Sequence, residues 1–415
     1  MTVVISHPTG NANLRAVLRG LHNKNLLHTF YTTIAFPQVT WSKQLTGESI
    51  DRYIGKRRFS EIPWQKIRLH PFRELVRLTA SFLKVSSLIR HEKGWASVDA
   101  VYASLDSAVA KALEQSHDSI RAVYAYEDGA LNTFRRAKEK GIICLYDLPI
   151  PYWRALRRLC QEESELLPEW SSTMIGLEDS DAKLKRKDEE LYLSDHIFVA
   201  SNFTRASLKE YFGDDLHISM VHYGCPHPLI SHPIERRKGE PLQLFYAGSM
   251  TQRKGIAYMI AALNMLEIDW RLTLAGSIQG EPPPALKCFL SDSRCNWLGA
   301  LPHATLMEAM THAHVFVFPS IAEGFGMVIT EAMAAGLPVI TTVNTAGLDI
   351  LTDGYDGFIV GIRDPNVIAE RITMLAENES LRFQMSCNAL QTAHKLSWKI
   401  YETQLANLIQ EIISA

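Results

Sequence analysis

Glu323 and Glu331 stand eight positions apart around the Gly324-Phe325-Gly326 turn, within the run FPSIAEGFGMVITEAMAAGLPVITT (Phe318–Thr342). The apolar run Val315–Phe318 reads as a buried parallel strand that Pro319 and Ser320 end, and Met327–Ala335 has the composition of a helix closed by Gly336. Glu323 then falls in the strand-to-helix loop, and Glu331 lies more than a turn inside the helix on a face that looks back over that loop. The first-turn N–H groups around Gly326, Met327 and Val328 lack intrahelical partners, and with the helix dipole they form a seat for a diphosphate. Gly324 and Gly326 allow the anion to approach the backbone closely. An ionised carboxylate is a pure acceptor suited to paired hydroxyls, so one glutamate suits a sugar and the other a ribose. Together they would bracket a nucleotide-sugar.

The E-x7-E spacing followed by EAMAAGLPVI resembles the signature of the family 4 retaining glycosyltransferases. Other segments resemble that family in the same order: LFYAGSMTQRKGIAYMIAALNML (Leu244–Leu266), RLTLAGSI (Arg271–Ile278), NWLGALPHATLMEAMTHAHVFVFPS (Asn296–Ser320), GYDGFIV (Gly354–Val360) and LSW (Leu396–Trp398). Taken singly, a GFG turn, an early helical glutamate or a Lys-Gly pair is ordinary structure; their joint order carries the resemblance, which is specific over residues 240–400 and looser before.

The resemblance implies a GT-B fold, two facing Rossmann-like α/β domains with the nucleotide-sugar cleft between them. It implies a metal-independent hexosyl transfer that retains anomeric configuration, needs no cofactor and takes a nucleotide-diphosphate sugar as donor, with UDP the default over GDP or ADP. It assigns Lys254 to the phosphates with Arg253 as helper, Glu323 to the sugar and Glu331 to the ribose. Gly248 and Ser249 flank the diphosphate, although many members carry a basic residue where Ser249 stands. The loops near Ser277 and Leu301-Pro302 meet the base. In the N-terminal half Gly10 and Asn11 follow the first strand, in HPTGNAN where the family has a glycine loop, and Asn13 and Arg15 are alternatives. Asp147 stands where members commonly show a catalytic histidine; it could bind a donor hydroxyl, orient the acceptor, or cap the loop before Pro149. Glu127, Asp128 and Trp153 are the acceptor-side candidates.

Length and composition set the elements that must position these groups. A chain of 415 residues suits two domains of about 200 residues each. Apolar residues at 47% and charged residues at 21% argue for folded cores. A net charge of −2 gives no global attraction to nucleic acid. Cys144, Cys160, Cys225, Cys288, Cys295 and Cys387 contain no C-x-x-C pair and read as reduced packing thiols of a cytoplasmic protein. Neither the opening residues nor any later window reads as a signal peptide or membrane span. DSD (Asp179–Asp181) and DSR (Asp292–Arg294) read as loops or caps, not metal ligands.

Short apolar strands alternate with amphipathic helices throughout, the pattern of parallel sheets. Expected strands are Val3–Ser6, His28–Thr33, Val123–Tyr126, Ile142–Tyr146, His196–Ala200 and His217–Val221, then Leu242–Ala247, Trp270–Ala275, Val315–Phe318, Pro338–Thr342 and Gly357–Val360. The domains divide as 1–224, a linker at 225–240, then 241–396, with a final helix at 397–415 crossing back to the first domain. Residues 51–95 carry eleven Lys or Arg against four acids, with Tyr53, Phe59, Trp64 and Phe72 interleaved. Phe72–Ile89 reads as a helix. This segment fits either anionic membrane or a lipid-linked acceptor, or a helix packed on the sheet with a solvated basic face. The partners expected are therefore a nucleotide-sugar and a glycan or lipid-linked acceptor, with peripheral membrane contact through 51–95 and no nucleic acid. Alternatives are another GT-B enzyme, such as a nucleotide-sugar epimerase or a phosphorylase, or a non-catalytic nucleotide-sugar binder.

Overall fold

The computed structural model describes residues 1–37, 54–115, 119–174, 177–237 and 239–415. Asp51, Arg52 and Tyr53 of the basic segment, and Lys238 of the expected linker, lie outside the described residues.

Strands β1 (Thr2–Ser6), β2 (Leu27–Thr32), β3 (Ile67–Leu69), β4 (Ile120–Tyr126), β5 (Ile143–Leu148), β6 (His196–Val199) and β7 (Ile218–Met220) form one sheet in the order β3-β2-β1-β4-β5-β6-β7. Strands β8 (Leu242–Ala247), β9 (Trp270–Ala275), β10 (Cys295–Trp297), β11 (Val315–Phe318), β12 (Val339–Thr342) and β13 (Gly357–Val360) form the second, ordered β10-β9-β8-β11-β12-β13. The neighbours pair in parallel in both sheets. Helices cover both faces of such sheets, so the strands read as continuous apolar runs: all four residues of β11 and of β12 are buried. The strands expected from the sequence are present, with ends displaced by up to three residues. The two that were not expected, β3 and β10, are three-residue edge strands, IRL and CNW, whose polar residues carry no alternation to detect.

The strand order reverses between β1 and β4 in one sheet and between β8 and β11 in the other. At such a switch point the neighbouring loops run in opposite directions and leave a crevice at the carboxyl ends of the strands. The loops after β1 and β4 carry His7–Asn11 and Glu127–Gly129; those after β8 and β11 carry Gly248–Lys254 and Pro319–Gly326.

The last helix, Trp398–Ser414, lies against helix Ala12–Asn23: Arg19 Nε pairs with Glu402 at 2.5 Å, and a Cβ at Gly20 would overlap the Glu402 carbonyl oxygen. Tyr223 stacks on Trp398, and Tyr401 meets both rings edge-on, where this helix meets the chain segment between the sheets. All six cysteines are free thiols, and Cys144, Cys160 and Cys225 are buried.

Phe72–Ile89 is not one helix. It forms Phe72–Phe82 and Ser86–Ile89, broken where Lys84 takes φ 56°. The reading in which this segment packs its apolar residues on the sheet is overturned, since Phe72, Leu75, Phe82 and Leu83 are exposed and Glu74 is buried. Part of the segment's charge is internal: Arg57 is buried, donating to the Pro8 carbonyl at 2.8 Å and pairing with Glu74 at 2.7 Å.

Candidate functional site

In the C-terminal domain three loops converge. A tight 3-10 turn, Gln252–Lys254, follows β8 and passes through Gly255 at φ 71°, where a Cβ would overlap the Pro319 carbonyl oxygen. That contact sets the β8 loop on the β11 loop. The Glu323 carboxylate accepts from Arg253 Nη1 on one oxygen and Lys254 Nζ on the other, each at 2.6 Å. Arg253 also donates to the Ala322 carbonyl at 2.8 Å. Burial works to raise the Glu323 pKa, but the charges of Lys254 and Arg253 outweigh it and hold the carboxylate ionised. Burial pushes Lys254 down to about 8, with Glu323 opposing and Arg253 assisting. Arg253 moves upward, since Glu323 outweighs its burial.

Helix Met327–Ala334 begins beside this cluster. Its cap, Gly326 at φ 84°, supplies no side-chain acceptor, so the N–H groups of Met327 and Val328 are available to an anion. Glu331, in the second turn of that helix, accepts from His303 Nε2 at 3.0 Å. The hydrogen bond to Glu331 raises the His303 pKa. His303 opens the preceding helix, His303–Met310, immediately after Leu301-Pro302, so the carboxylate faces the loop expected to meet a base. Sequence reasoning missed His303; its only signal was its place directly behind Leu301-Pro302.

Gly248, at φ 152°, sits under the Tyr246 hydroxyl, which donates to the Ser249 carbonyl at 2.9 Å. Met250 N–H donates to the Ser277 carbonyl at 2.9 Å, and a Cβ at Gly276 would overlap the Gly248 carbonyl. Gly248, Ser249 and Ser277 are thus one packed backbone surface beside Lys254. Phe325 turns away from it: the ring is buried 5.2 Å from that of Tyr223, leaving only backbone to offer a ligand.

Gly324 joins the two domains. A Cβ there would overlap the Pro149 carbonyl oxygen, and its own carbonyl accepts from Ser201 Oγ at 2.5 Å and Thr204 Oγ1 at 3.0 Å. Neither hydroxyl stands in a motif, so nothing in the sequence pointed to them.

Asp147 is the penultimate residue of β5, two residues before Pro149. It is buried and accepts from the Tyr124 hydroxyl at 2.6 Å; burial raises its pKa to about 7. The Tyr126 hydroxyl lies against it too, off hydrogen-bond geometry and without another partner.

At the first switch point a cavity of about 430 Å³ is lined by His7, Asn11, Tyr102, Tyr126, Glu127, Asp128 and Lys183, among others. Asn11 caps helix Ala12–Asn23 through the Leu14 N–H and lines this pocket. Gly10 lies under the Phe59 ring. Of the alternatives, Asn13 is buried on the Tyr223 hydroxyl and Arg15 is paired with Glu61 at 2.8 Å. Burial raises Glu127 to about 7 despite Lys187 at 3.1 Å, and Glu190 to about 8 although it accepts the Ala130 N–H. Asp128 takes φ 71°, held by Arg186 at 2.9 Å and by its own N–H on Glu190. Trp153 lies elsewhere, in a pocket with Arg154 and Asp188.

Ser180 caps helix Asp181–Leu193, and Asp292 binds the Arg294 N–H, as expected of loops and caps. Among the described residues one group, His91, Glu92 and Asp179, brings three metal-type ligand atoms within 4.8 Å; the Lys183 ammonium is 2.9 Å from Asp179.

Residues 230–392 match the family model described as glycosyl transferases group 1. An uncharacterized glycosyltransferase of Methanocaldococcus jannaschii is 32% identical over 158 residues, 37% of this chain and 44% of that protein. The N,N'-diacetylbacillosaminyl-diphospho-undecaprenol alpha-1,3-N-acetylgalactosaminyltransferase of Campylobacter jejuni is 26% identical over 42% of this chain and 46% of its own length. The matches thus span less than half of these curated relatives. Sucrose-phosphate synthase from Thermosynechococcus elongatus superposes with a TM-score of 0.67 at 15% identity, over 100% of this chain and 99% of its own. Anabaena HepE in complex with UDP-glucose gives a TM-score of 0.63 at 13% identity, over 99% and 100%. Residues 230–392 thus match a group 1 glycosyltransferase domain, set in a chain with the two-domain GT-B fold.

Proposed function

We propose that the protein transfers a hexosyl unit from a nucleotide-diphosphate sugar to a hydroxyl of a glycan or lipid-linked acceptor, retaining anomeric configuration. The observation that carries this is Glu323 bridging Arg253 and Lys254 beside the uncapped helix at Gly326. Arg253, Lys254 and the Met327 and Val328 N–H groups supply fixed positive charge where a leaving diphosphate gains negative charge, a stabilisation that needs no reorganisation and no metal ion. Glu323 accepts sugar hydroxyls between its two cations, and Glu331 accepts the ribose hydroxyls beside Leu301-Pro302. UDP is the first nucleotide to test: HepE carries UDP-glucose in its structure.

The pocket at the first switch point is the acceptor site in this reading. Glu127 and Asp128 accept from acceptor hydroxyls, and the Tyr126 ring forms part of the pocket wall. Asp147 is a positioning residue, acting through the β5 end whose Pro149 carbonyl abuts Gly324. A lipid-linked acceptor, the kind named for the Campylobacter relative, would station the enzyme peripherally at the inner face of a membrane.

Thermal-shift screening against UDP, GDP, ADP and dTDP tests the donor, because ligand bound only to the folded state raises the midpoint by mass action. Release of nucleoside diphosphate from the intact sugar nucleotide, with and without acceptors, tests the reaction. One observation favours a second reading, a non-catalytic binder: Asp147 is buried on Tyr124 instead of facing open space. Nucleotide-sugar binding without transfer or hydrolysis across a broad acceptor panel would establish it.

A further inference from the structure

Helix Phe72–Phe82 is built inside out. At 100° per residue, Phe72, Leu75, Thr79, Phe82 and the following Leu83 fall within roughly 100° of arc. That arc faces outward: Phe72 is 66%, Phe82 85% and Leu83 62% exposed. The buried side holds Ala80 and Glu74, the latter paired with Arg57 and with Arg77, each at 2.7 Å. An ion pair thus anchors the helix to the domain, and the face that ordinarily supplies burial is left exposed among the described residues.

The turn that ends the helix extends the same face. Val85 N–H closes back on the Ala80 carbonyl at 2.8 Å, with Lys84 left-handed between them. The hydrophobic residue after such a turn commonly folds back onto the helix. Here Val85 stays exposed, as does Leu88 on the next short helix. Large contiguous apolar surface on a folded protein marks an interaction site.

The charge beside it selects the partner. Residues 64–98 carry seven Lys or Arg against two Glu. Arg68, Lys84, Arg90 and Lys93 are exposed, whereas Glu74 is buried and Glu92 is turned onto the Ser180 hydroxyl. Exposed apolar side chains and exposed cations on one segment, whose own two acids are engaged, suit the headgroup and upper acyl region of an anionic bilayer. The patch also adjoins the acceptor pocket, since exposed Val98 and His91 line that cavity.

We propose that this face, from Phe72 to Val98, docks the protein on anionic membrane and opens the acceptor pocket toward the bilayer surface. The docking itself stands on exposure and charge; only the purpose given to the pocket rests on the transferase reading.

The test uses the full chain, co-sedimented with phosphatidylcholine vesicles with and without roughly a third phosphatidylglycerol. Wild type is expected to bind the anionic vesicles alone and to be released by salt. Arg90→Glu with Lys93→Glu should weaken binding by at least about 25-fold, near fivefold for each cation lost. Phe82→Ser with Leu83→Ser should abolish it while leaving UDP binding by calorimetry unchanged, which keeps a folding defect distinguishable. Equal partitioning of wild type and both variants, or none by any, overturns the proposal. A concentration-dependent dimer removed by Phe82→Ser overturns it too and assigns the face to a second copy. Vesicle binding without sugar transfer would sink the transferase reading and leave the docking intact; turnover without vesicle binding would do the reverse.

Discussion

Glu323 and Lys254 form the ion pair on which the site turns, Nζ to Oε2 at 2.6 Å, drawn from loops that follow β11 and β8. With Arg253 on the other oxygen, one carboxylate orients both cations. In the proposed reading, a diphosphate arriving there finds them preorganised, and the sugar's hydroxyls meet the carboxylate between them. Glu323→Gln keeps the shape and removes the charge. Turnover with the intact donor should fall about 10²–10³-fold, the usual cost of one well-placed electrostatic group, while calorimetric UDP binding changes far less. Wild-type turnover in this variant would remove Glu323 from the chemistry.

Lys254 gives a pH dependence. Its folded-state pKa, about 8, lies below its ordinary value of 10.5, so between those limits the folded protein holds fewer protons than the unfolded chain. Stability from this group therefore rises with pH across that window, while the charge that attracts diphosphate is lost. UDP affinity should decline above pH 8, by up to about tenfold per pH unit where that proton alone decides binding. Lys254→Arg keeps its charge and should flatten the profile. Isothermal titration from pH 7 to 10 checks both, and a flat wild-type profile would count against the assignment.

Glu331 is expected to accept from the ribose, so Glu331→Ala should weaken nucleoside-diphosphate binding by about 1.5–3 kcal/mol. The same substitution should lower the His303 pKa, because the hydrogen bond to Glu331 is what raises it. Calorimetry and a histidine NMR titration read the two effects separately. An unchanged Kd with a shifted His303 would show that Glu331 serves the loop and not the ligand.

Asp147 makes a stability prediction of definite sign. Burial lifts its folded-state pKa from 3.8 to about 7, so the folded protein binds the extra proton between those values. Its contribution to stability is present at low pH and lost as pH rises toward 7, a change on the order of a few kcal/mol. Asp147→Asn should remove that slope: the difference between variant and wild type in urea titrations should grow in the variant's favour from pH 5 to pH 8. A difference that does not change with pH would mean the carboxyl is ionised when buried.

Gly324→Ala tests the contact between the domains. Its added Cβ overlaps the Pro149 carbonyl, which must move or the loop must, at a cost of about 1–3 kcal/mol. Lower stability with impaired turnover is expected, since the displaced loop carries Glu323. Unaltered kinetics and urea midpoint would show that the domains do not need this close approach.

The sequence by itself determined the sheets and the order of the site. Parallel strands buried on both faces must be apolar along their whole length, so VFVF (Val315–Phe318) and LQLFYA (Leu242–Ala247) were legible as strands. The glycines and glutamates that follow are tied to the strand ends by chain connectivity, and the family resemblance put Glu323 and Lys254 in one site; their direct ion pair is known only from the structure. Edge strands β3 and β10 were not legible, because three half-solvated residues carry no periodicity. Tertiary structure alone decided that Phe325 packs on Tyr223, that His303 meets Glu331, and that Ser201 and Thr204 hold the Gly324 carbonyl. It also decided that Phe72–Phe82 turns its apolar face outward. Local spacing gives the helix its stripe, but which way the stripe points depended on Arg57, 17 residues before Glu74, reaching that carboxylate inside the domain. Such contacts join residues far apart in the chain, and no local pattern encodes where a distant partner will lie.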